Sequence, residues 1–431
     1  MKKLLLILLC LPFIGFGQTW EKTFGGLDGG YLGNSVQQTT DGGYIITGAT
    51  SAVQPTLYEE QVYLLKTDVN GIAQWNQSFG GAGTDYGSEV QQTIDGGYII
   101  VGTADYDDFI YLIKTDGNGN EQWNRKFSAN ANIDDIVFGT SVQQTTDGGY
   151  IITGNLNNPN TGYIKALLIK TDSDGYEQWT QTIVNFSIGN QYVANSVRQT
   201  TDGGYVFCGS IGSFDIINQV EIPSVMCLIK TDGSGVEQWT QTFGGTTHGS
   251  SVQQTTDGGY IITGGWKLIK TDGNGIEQWN QTFGLGTGED RLNKVQQTID
   301  GGYIITGMIP GMTANNETDV TLIKTDGNGI EQWSQVFGGL GWDFGTSVQQ
   351  TTDGGYIIAG QSETTPWVEE VYLIKTDGSG NVTSTFNLPI DPNRKLEKTV
   401  DLLGKETKPQ TNTPLIEIYD DGTVEKRIVI E

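Results

Sequence analysis

The feature that most constrains this chain is a repeat. The string Asp-Gly-Gly-Tyr begins at Asp41, Asp95, Asp147, Asp202, Asp257, Asp300 and Asp353, at intervals of 54, 52, 55, 55, 43 and 53 residues. Lys-Thr-Asp recurs with it, from Lys66, Lys114, Lys170, Lys230, Lys270, Lys324 and Lys375. A third segment carries Trp20, Trp75, Trp123, Trp179, Trp239, Trp279 and Trp333. A period of this length decides the architecture, because each copy is one supersecondary unit that buries its apolar face only against its neighbours.

The copy from Ser251 to Phe283 reads SVQQT, TDGG, YIITG, WKLIKTD, GNG, IEQWNQTF. The Gly-bearing strings between these runs are hairpin turns, where positive φ is needed and Gly, Asn or Asp accept it cheaply. The middle strands, around YII and LIK, are apolar at consecutive positions, as strands covered on both faces are. The outer strands mix Gln, Thr, Asn and Trp and so border water. Four antiparallel strands per copy, repeated seven times, predict an all-β chain: a seven-bladed β-propeller of four-stranded blades. A β-helix would need a shorter repeat and fewer hairpins. The surplus of glycine, 62 residues, resolves into these paired turns.

The order of the segments adds a check. WEKTF, Trp20 to Phe24, is a fourth-strand segment that precedes any first strand, while the last copy continues past Lys375 as GSGNVTSTF, with Ser384 where a Trp is due. The expectation is that the N-terminal strand completes the last blade and closes the ring, removing an open sheet edge.

The segment LIKTDGNGIEQW, with Asp272 and Gly275 ahead of Trp279, resembles the tryptophan-docking repeat of quinoprotein-type propellers. The Asp-to-Trp spacing departs from that family by one residue. The resemblance implies that Trp20, Trp75, Trp123, Trp179, Trp239, Trp279 and Trp333 dock each blade on its neighbour, a structural role. The Asp-box of sialidases is a looser likeness, its Gly-to-Trp spacing off by one.

The two ends read differently. Residues 1–17 have a basic start (Lys2, Lys3), an apolar run from Leu4 to Ile14, and small residues Gly15 and Gly17 before Gln18, the pattern of a secretory signal peptide. No other stretch is apolar enough for a spanning helix, so the mature chain is expected not to span a membrane. With Cys10 in the signal, Cys208 and Cys227 remain, in consecutive predicted strands. A cross-strand bond and two buried thiols are both open at this point, free thiols being the commoner outcome. Residues 18–387 hold the propeller, and residues 388–431 a linker marked by Pro389 and Pro392, then a short β segment. There VDLLGKE, a polar loop and IEIYDDGTVEKRIVIE resemble the C-terminal sorting domain of the type IX secretion system, though shorter than the full sandwich of that name. The resemblance implies export by the signal peptide, passage across the outer membrane with the secretion machinery as partner, and a secreted or cell-surface protein.

Charge locates the candidate site. There are 50 acidic and 24 basic residues, a net charge of −26, which argues against nucleic acid as partner. Acids outside the repeat motifs, Glu89 among them, are assigned to the second-to-third and fourth-to-first connections, which vary in length and share one face. Function usually sits on variable loops carried by a rigid scaffold. Trp266, Trp342 and Trp367 fall there too. Asp85, Asp290 and Asp343 each stand five residues before a first-strand Val, and three converging oxygens would suit calcium; otherwise no cofactor is called for. Candidate ligand-binding residues are therefore Asp85, Trp266, Asp290, Trp342, Asp343 and Trp367.

Catalysis has little support. The single His248 has no evident triad partners and no nucleophile motif is present. The expectation is a binding or adhesion module, not an enzyme, taking polysaccharide or a surface protein on its acidic, aromatic face. A structural surface-layer protein and a carboxylate-dependent glycoside hydrolase are the alternatives.

Overall fold

The structure, a computed structural model, describes residues 19–25, 30–53, 58–81, 83–106, 108–128, 135–158, 160, 163–183, 191–215, 220–245, 248–284, 291–310, 317–339, 341–365, 368–382, 395–400, 414–419 and 424–428. Residues 1–17, the candidate Asp290 and Trp367, and the LLGKE string lie outside the described residues. Every described element is a β-strand. The chain divides into two compact units, Met1–Thr383 and Ser384–Glu431.

In the first unit the same four-stranded antiparallel sheet recurs along the chain. The first sheet runs Tyr31–Gln38, Tyr44–Val53, Tyr58–Thr67 and Ala73–Phe79. The second runs from Tyr86–Gln92 to Glu121–Phe127, the third from Ile136–Gln144 to Glu177–Ile183, and the fourth from Gln191–Gln199 to Glu237–Phe243. Third and fourth touch through a single parallel pair, Ile164 with Gln191. The fifth runs from Ser251–Gln254 to Glu277–Thr282 and the sixth from Arg291–Gln297 to Glu331–Phe337. The seventh takes Asp343–Gln350, Tyr356–Thr365 and Val368–Thr376, and its fourth strand is Trp20–Phe24, antiparallel to Val368–Thr376 with Trp20 opposite Lys375. That register is the one in which Trp75 faces Lys66 in the first sheet. This is a repeated-sheet architecture of the β-propeller type.

Local chemistry explains the hairpins. In the TDGG turn the N–H of Gly42 donates to the Thr39 carbonyl, and Gly42 has φ 85°, a conformation Gly adopts without penalty. Next to it Gly43 has no room for a Cβ, which would lie 2.2 Å from the Thr67 carbonyl oxygen. In the second turn the Asp68 carboxylate accepts the N–H groups of Asn70 and Ile72.

Between sheets the packing is apolar. The Tyr of each DGGY meets the Trp of the preceding sheet, from Trp75 on Tyr98 through to Trp333 on Tyr356, with centroids 5.8 or 5.9 Å apart. Trp20 completes the series on Tyr44 at 5.8 Å. Each indole also lies across the left-handed Gly of the next sheet's second turn: a Cβ at Gly119 would come within 2.5 Å of Trp75, and one at Gly71 within 2.6 Å of Trp20. Each Trp–Tyr pair adds about 0.5–1.5 kcal/mol beyond its buried area.

A bulge in the first strand of six sheets turns one residue outward to the neighbour. Asn34, Ser88, Thr140, Asn195, Asn293 and Thr346 donate to carbonyls of Gly87, Gly139, Ala194, Gly249, Gly345 and Gly33 in the next sheet. Cys208 and Cys227 are free, buried thiols in separate apolar clusters on opposite sides of their sheet. Burial pushes the Cys227 thiol up to about 12, so it stays protonated.

The second unit contains a three-stranded antiparallel sheet of Leu396–Val400, Pro414–Tyr419 and Val424–Ile428. The last two strands pair as the sequence around the DDG turn suggests, with Ile418 opposite Val424. Leu396–Val400, a third strand, was not expected from the motif.

Candidate functional site

The loop end was where sequence placed the site. Asp85 is fully buried: its Oδ2 accepts the Gly81 N–H at 2.9 Å and its Oδ1 the Asp105 N–H at 3.0 Å. Asp343 is 1% exposed and its Oδ2 takes the Gly339 N–H at 3.0 Å, the same reach back over four residues. Burial raises the Asp343 carboxyl, opposed by hydrogen bonds from Ser362 and Gly339. Both acids cap the turn that leads into their own first strand, in the second and seventh sheets. Among the described residues no group of three or more His, Cys, Asp or Glu is placed to hold a metal, and Asp290, the third carboxylate of the expected set, lies outside them. Equal spacing ahead of a strand gives Asp85 and Asp343 the same local role.

Other loop acids are also engaged. Asp105 pairs with Lys126. Asp135 accepts from the Asn158 amide. His248 has a partner the sequence did not reveal, with Nδ1 2.8 Å from Ser210 Oγ. Ser210 is 1% exposed, so its hydroxyl does not face a substrate.

The two described tryptophans outside the repeat differ. Trp266, half-buried, follows Gly265 (φ 56°) in the tight turn of the fifth sheet, and its carbonyl accepts the Phe283 N–H. Trp342 is 42% exposed and stacks on Phe344 with centroids 6.2 Å apart and planes 27° apart. Its carbonyl takes the Glu363 N–H, which holds the backbone while the ring faces solvent. Among the described residues no ring contact links Trp266 to Trp342.

The most organised polar site lies elsewhere, in a cavity of about 140 Å³ walled by the first strands of all seven sheets. Two positions recur in the first strands that surround it. At one stand Ser35, Ser141, Ser196, Ser251 and Ser347, whose hydroxyls accept the Val N–H of the next sheet. At the other, Gln37, Gln91, Gln143, Gln253, Gln296 and Gln349 each accept a Gln N–H of the next sheet. Three residues break the pattern. Glu89 and Lys294 take Ser positions in the second and sixth sheets, and Arg198 takes the Gln position in the fourth.

Those three meet. Glu89 Oε1 accepts from Arg198 Nη2 and from Lys294 Nζ, both at 2.8 Å, and Glu89 Oε2 accepts from Ser141 Oγ and the Val142 N–H. Burial alone would raise the Glu89 carboxyl, but Arg198 and Lys294 override it and hold it well below the usual range. Lys294 is lowered, by burial first, against the pull of Glu89. Sequence reasoning counted Glu89 as a loop acid, but it belongs to the strand Tyr86–Gln92 and faces the cavity. The signal was present: when the copies are aligned column by column, Glu89, Arg198 and Lys294 are misfits among Ser and Gln.

A third set was missed because its members looked like turn and strand residues. In every sheet the Lys of KTD reaches the Asp of DGGY, at 2.8 to 3.0 Å. Lys66 is 3% exposed and also donates to the Thr67 carbonyl and to Gln74. Burial raises the Asp41 carboxyl, but bonds from Thr39, Lys66 and Gly43 outweigh it and hold it at about 2.

Comparison with known proteins bears on the fold alone. No protein-family model matches the chain. No curated protein matches it either. Among solved structures, a puromycin hydrolase variant complexed with PGG is similar at 12% identity and TM-score 0.51, over 90% of this chain and 58% of that one. A protein of unknown function from Dyadobacter fermentans is 9% identical with TM-score 0.47, over 83% of this chain and 97% of that one. YCF48 from Cyanidioschyzon merolae is 11% identical with TM-score 0.43, over 82% and 98%. At such identities the likeness concerns the fold alone.

Proposed function

We propose that the seven sheets are the blades of a closed seven-bladed β-propeller, with Trp20–Phe24 as the fourth strand of the last blade, and that the protein is a non-catalytic binding module exported to the cell surface. Closure is supported by a series of contacts that returns to its start. Backbone N–H groups of Thr40, Ile94, Thr146, Thr201, Thr256 and Ile299 each donate to a Gln of the next sheet, and that of Thr352 donates to Gln38 of the first. Export rests on the signal-like residues 1–17, and delivery by the type IX machinery on the motif in residues 388–431.

The observation that carries the binding reading is Trp342. A large ring left 42% exposed, braced by Phe344 and by a buried, turn-capping Asp343, is a preformed platform for a sugar face. Polysaccharide is the ligand class it suits, because stacking on a ring needs no charge match to an acidic chain. The test is a glycan array on the chain from Gln18 onward, with and without calcium. Saccharide binding that is lost in Trp342→Ala, with the melting temperature kept, supports the reading; an array with no binding in either condition overturns it. Removing residues 388–431 is expected to leave the protein inside the outer membrane on cell fractionation.

A further inference from the structure

The cavity has an electrostatic imbalance that the rest of the wall does not need. Ser and Gln at these two positions hydrogen-bond from sheet to sheet without charge. Replacing them with Glu89, Arg198 and Lys294 places two cations around one carboxylate, a net charge of one positive unit, in a chain whose total is −26. The cations also break the wall's own bonding, since neither an ammonium nor a guanidinium accepts the N–H that a Ser or Gln accepts at that place. Such a cost is unusual for a purely structural substitution.

The donors are not used up. Lys294 donates to Glu89, and among the described residues no second acceptor meets its ammonium, which has three N–H groups. Arg198 gives Nη1 to the Val197 carbonyl and Ser141 Oγ and Nη2 to Glu89, with no acceptor for Nε among the described residues. Both side chains line the cavity and remain about one-fifth exposed, 22% for Lys294 and 20% for Arg198, so solvent and small solutes reach them. Glu89 is 8% exposed and bound on both oxygens, which fixes the two cations in place. A water needs about 10–15 Å³ of such space, so 140 Å³ accommodates an anion of a few heavy atoms together with several waters.

We propose that this cavity binds a small monocarboxylate of formate or acetate size, held by the free donors of Lys294 and Arg198 with Glu89 as the resident counter-charge. One added negative charge makes the cluster neutral, and a two-oxygen planar group matches a guanidinium beside an ammonium. A divalent oxyanion would leave a buried net negative charge beside Glu89.

The test is calorimetric titration of the full-length chain with sodium acetate and sodium formate, against sodium chloride at equal ionic strength, with sulfate and phosphate as further arms. Saturable binding of acetate or formate is expected. Lys294→Ser, which restores the residue of the other sheets, is expected to weaken it about tenfold or more, and Glu89→Ser to strengthen it about tenfold. The triple variant E89S/R198Q/K294S restores the uncharged repeat, is expected to fold, and binds no anion. Absence of saturable carboxylate binding, binding that survives in the triple variant, or preference for sulfate or phosphate would each overturn the proposal.

Discussion

Six sheets of the first unit take all four strands from one continuous stretch, and the seventh borrows its fourth strand from the other end of the chain. The backbone register is the same in both cases, Trp opposite Lys. The side chains differ. In the six continuous sheets a bulged Gln before the Trp, such as Gln74, accepts from the buried Lys. Thr19 stands there in the seventh, and Lys375 bonds to Asp353 and the Thr376 carbonyl. The borrowed strand has anchors of its own instead. Trp20 is 9% exposed while the other docking tryptophans are half-buried, Glu21 accepts from the Tyr372 hydroxyl, and Lys22 donates to the Asn70 carbonyl. A strand tied by a short turn is held at high effective concentration by its neighbour; one without the turn needs side chains to replace that restraint.

The comparison breaks first if the borrowed strand is dispensable. Deleting residues 18–24 is expected to lower the melting temperature by about 10 °C or more and to promote self-association through the bared edge of Val368–Thr376, read by calorimetry and size-exclusion chromatography. Next, Trp20→Ala is expected to cost about 4 kcal/mol and Trp75→Ala about 2 kcal/mol in denaturant unfolding, following their burial. Equal costs would remove the claim that the seventh sheet relies more on its Trp. A smaller contrast concerns the ion pairs. Asp353 has 25% of its side chain exposed and Asp41 58%, so loss of the cation strands a less hydrated charge in the seventh sheet. Lys375→Met should then cost about 3 kcal/mol, against about 1 kcal/mol for Lys66→Met.

The smallest effect per site is acid sensitivity. The Asp of DGGY sits at about 2 in the folded first sheet, against an ordinary value of 3.8. A carboxyl lowered on folding contributes stability that is fully present above the unfolded value and lost as pH falls through the folded one. The melting temperature is expected to decline from about pH 4 toward pH 2, and Asp41→Asn to flatten that decline slightly. An increase in stability on acidification through this window would contradict the pairing.

Much of the fold was legible because hairpin chemistry is local. DGGY and DGNG can form few things other than turns, and the consecutive apolar residues between them read directly as covered strands. The out-of-place WEKTF pointed to the seventh sheet's missing strand for the same reason. The site was less legible. Asp85 and Asp343 share a spacing, and spacing cannot separate a carboxylate that faces a ligand from one that folds back on its own loop. Glu89 was misplaced because an acid between two motifs looks like a loop residue until its column is compared with Ser35 and Ser141. The Lys66–Asp41 pair joins two hairpins across the sheet, a contact no single motif displays.

The borrowed strand also orders events in time. Glu21 and Tyr372 bond across 351 positions of sequence. Contacts of that separation form late, since the loop entropy between them must be overcome before they contribute. A chain delivered N-terminus first therefore presents the strand Trp20–Phe24 before the other described strands and pairs it last: its indole can already lie on Tyr44, but until Val368–Thr376 arrives its backbone has no strand to pair with.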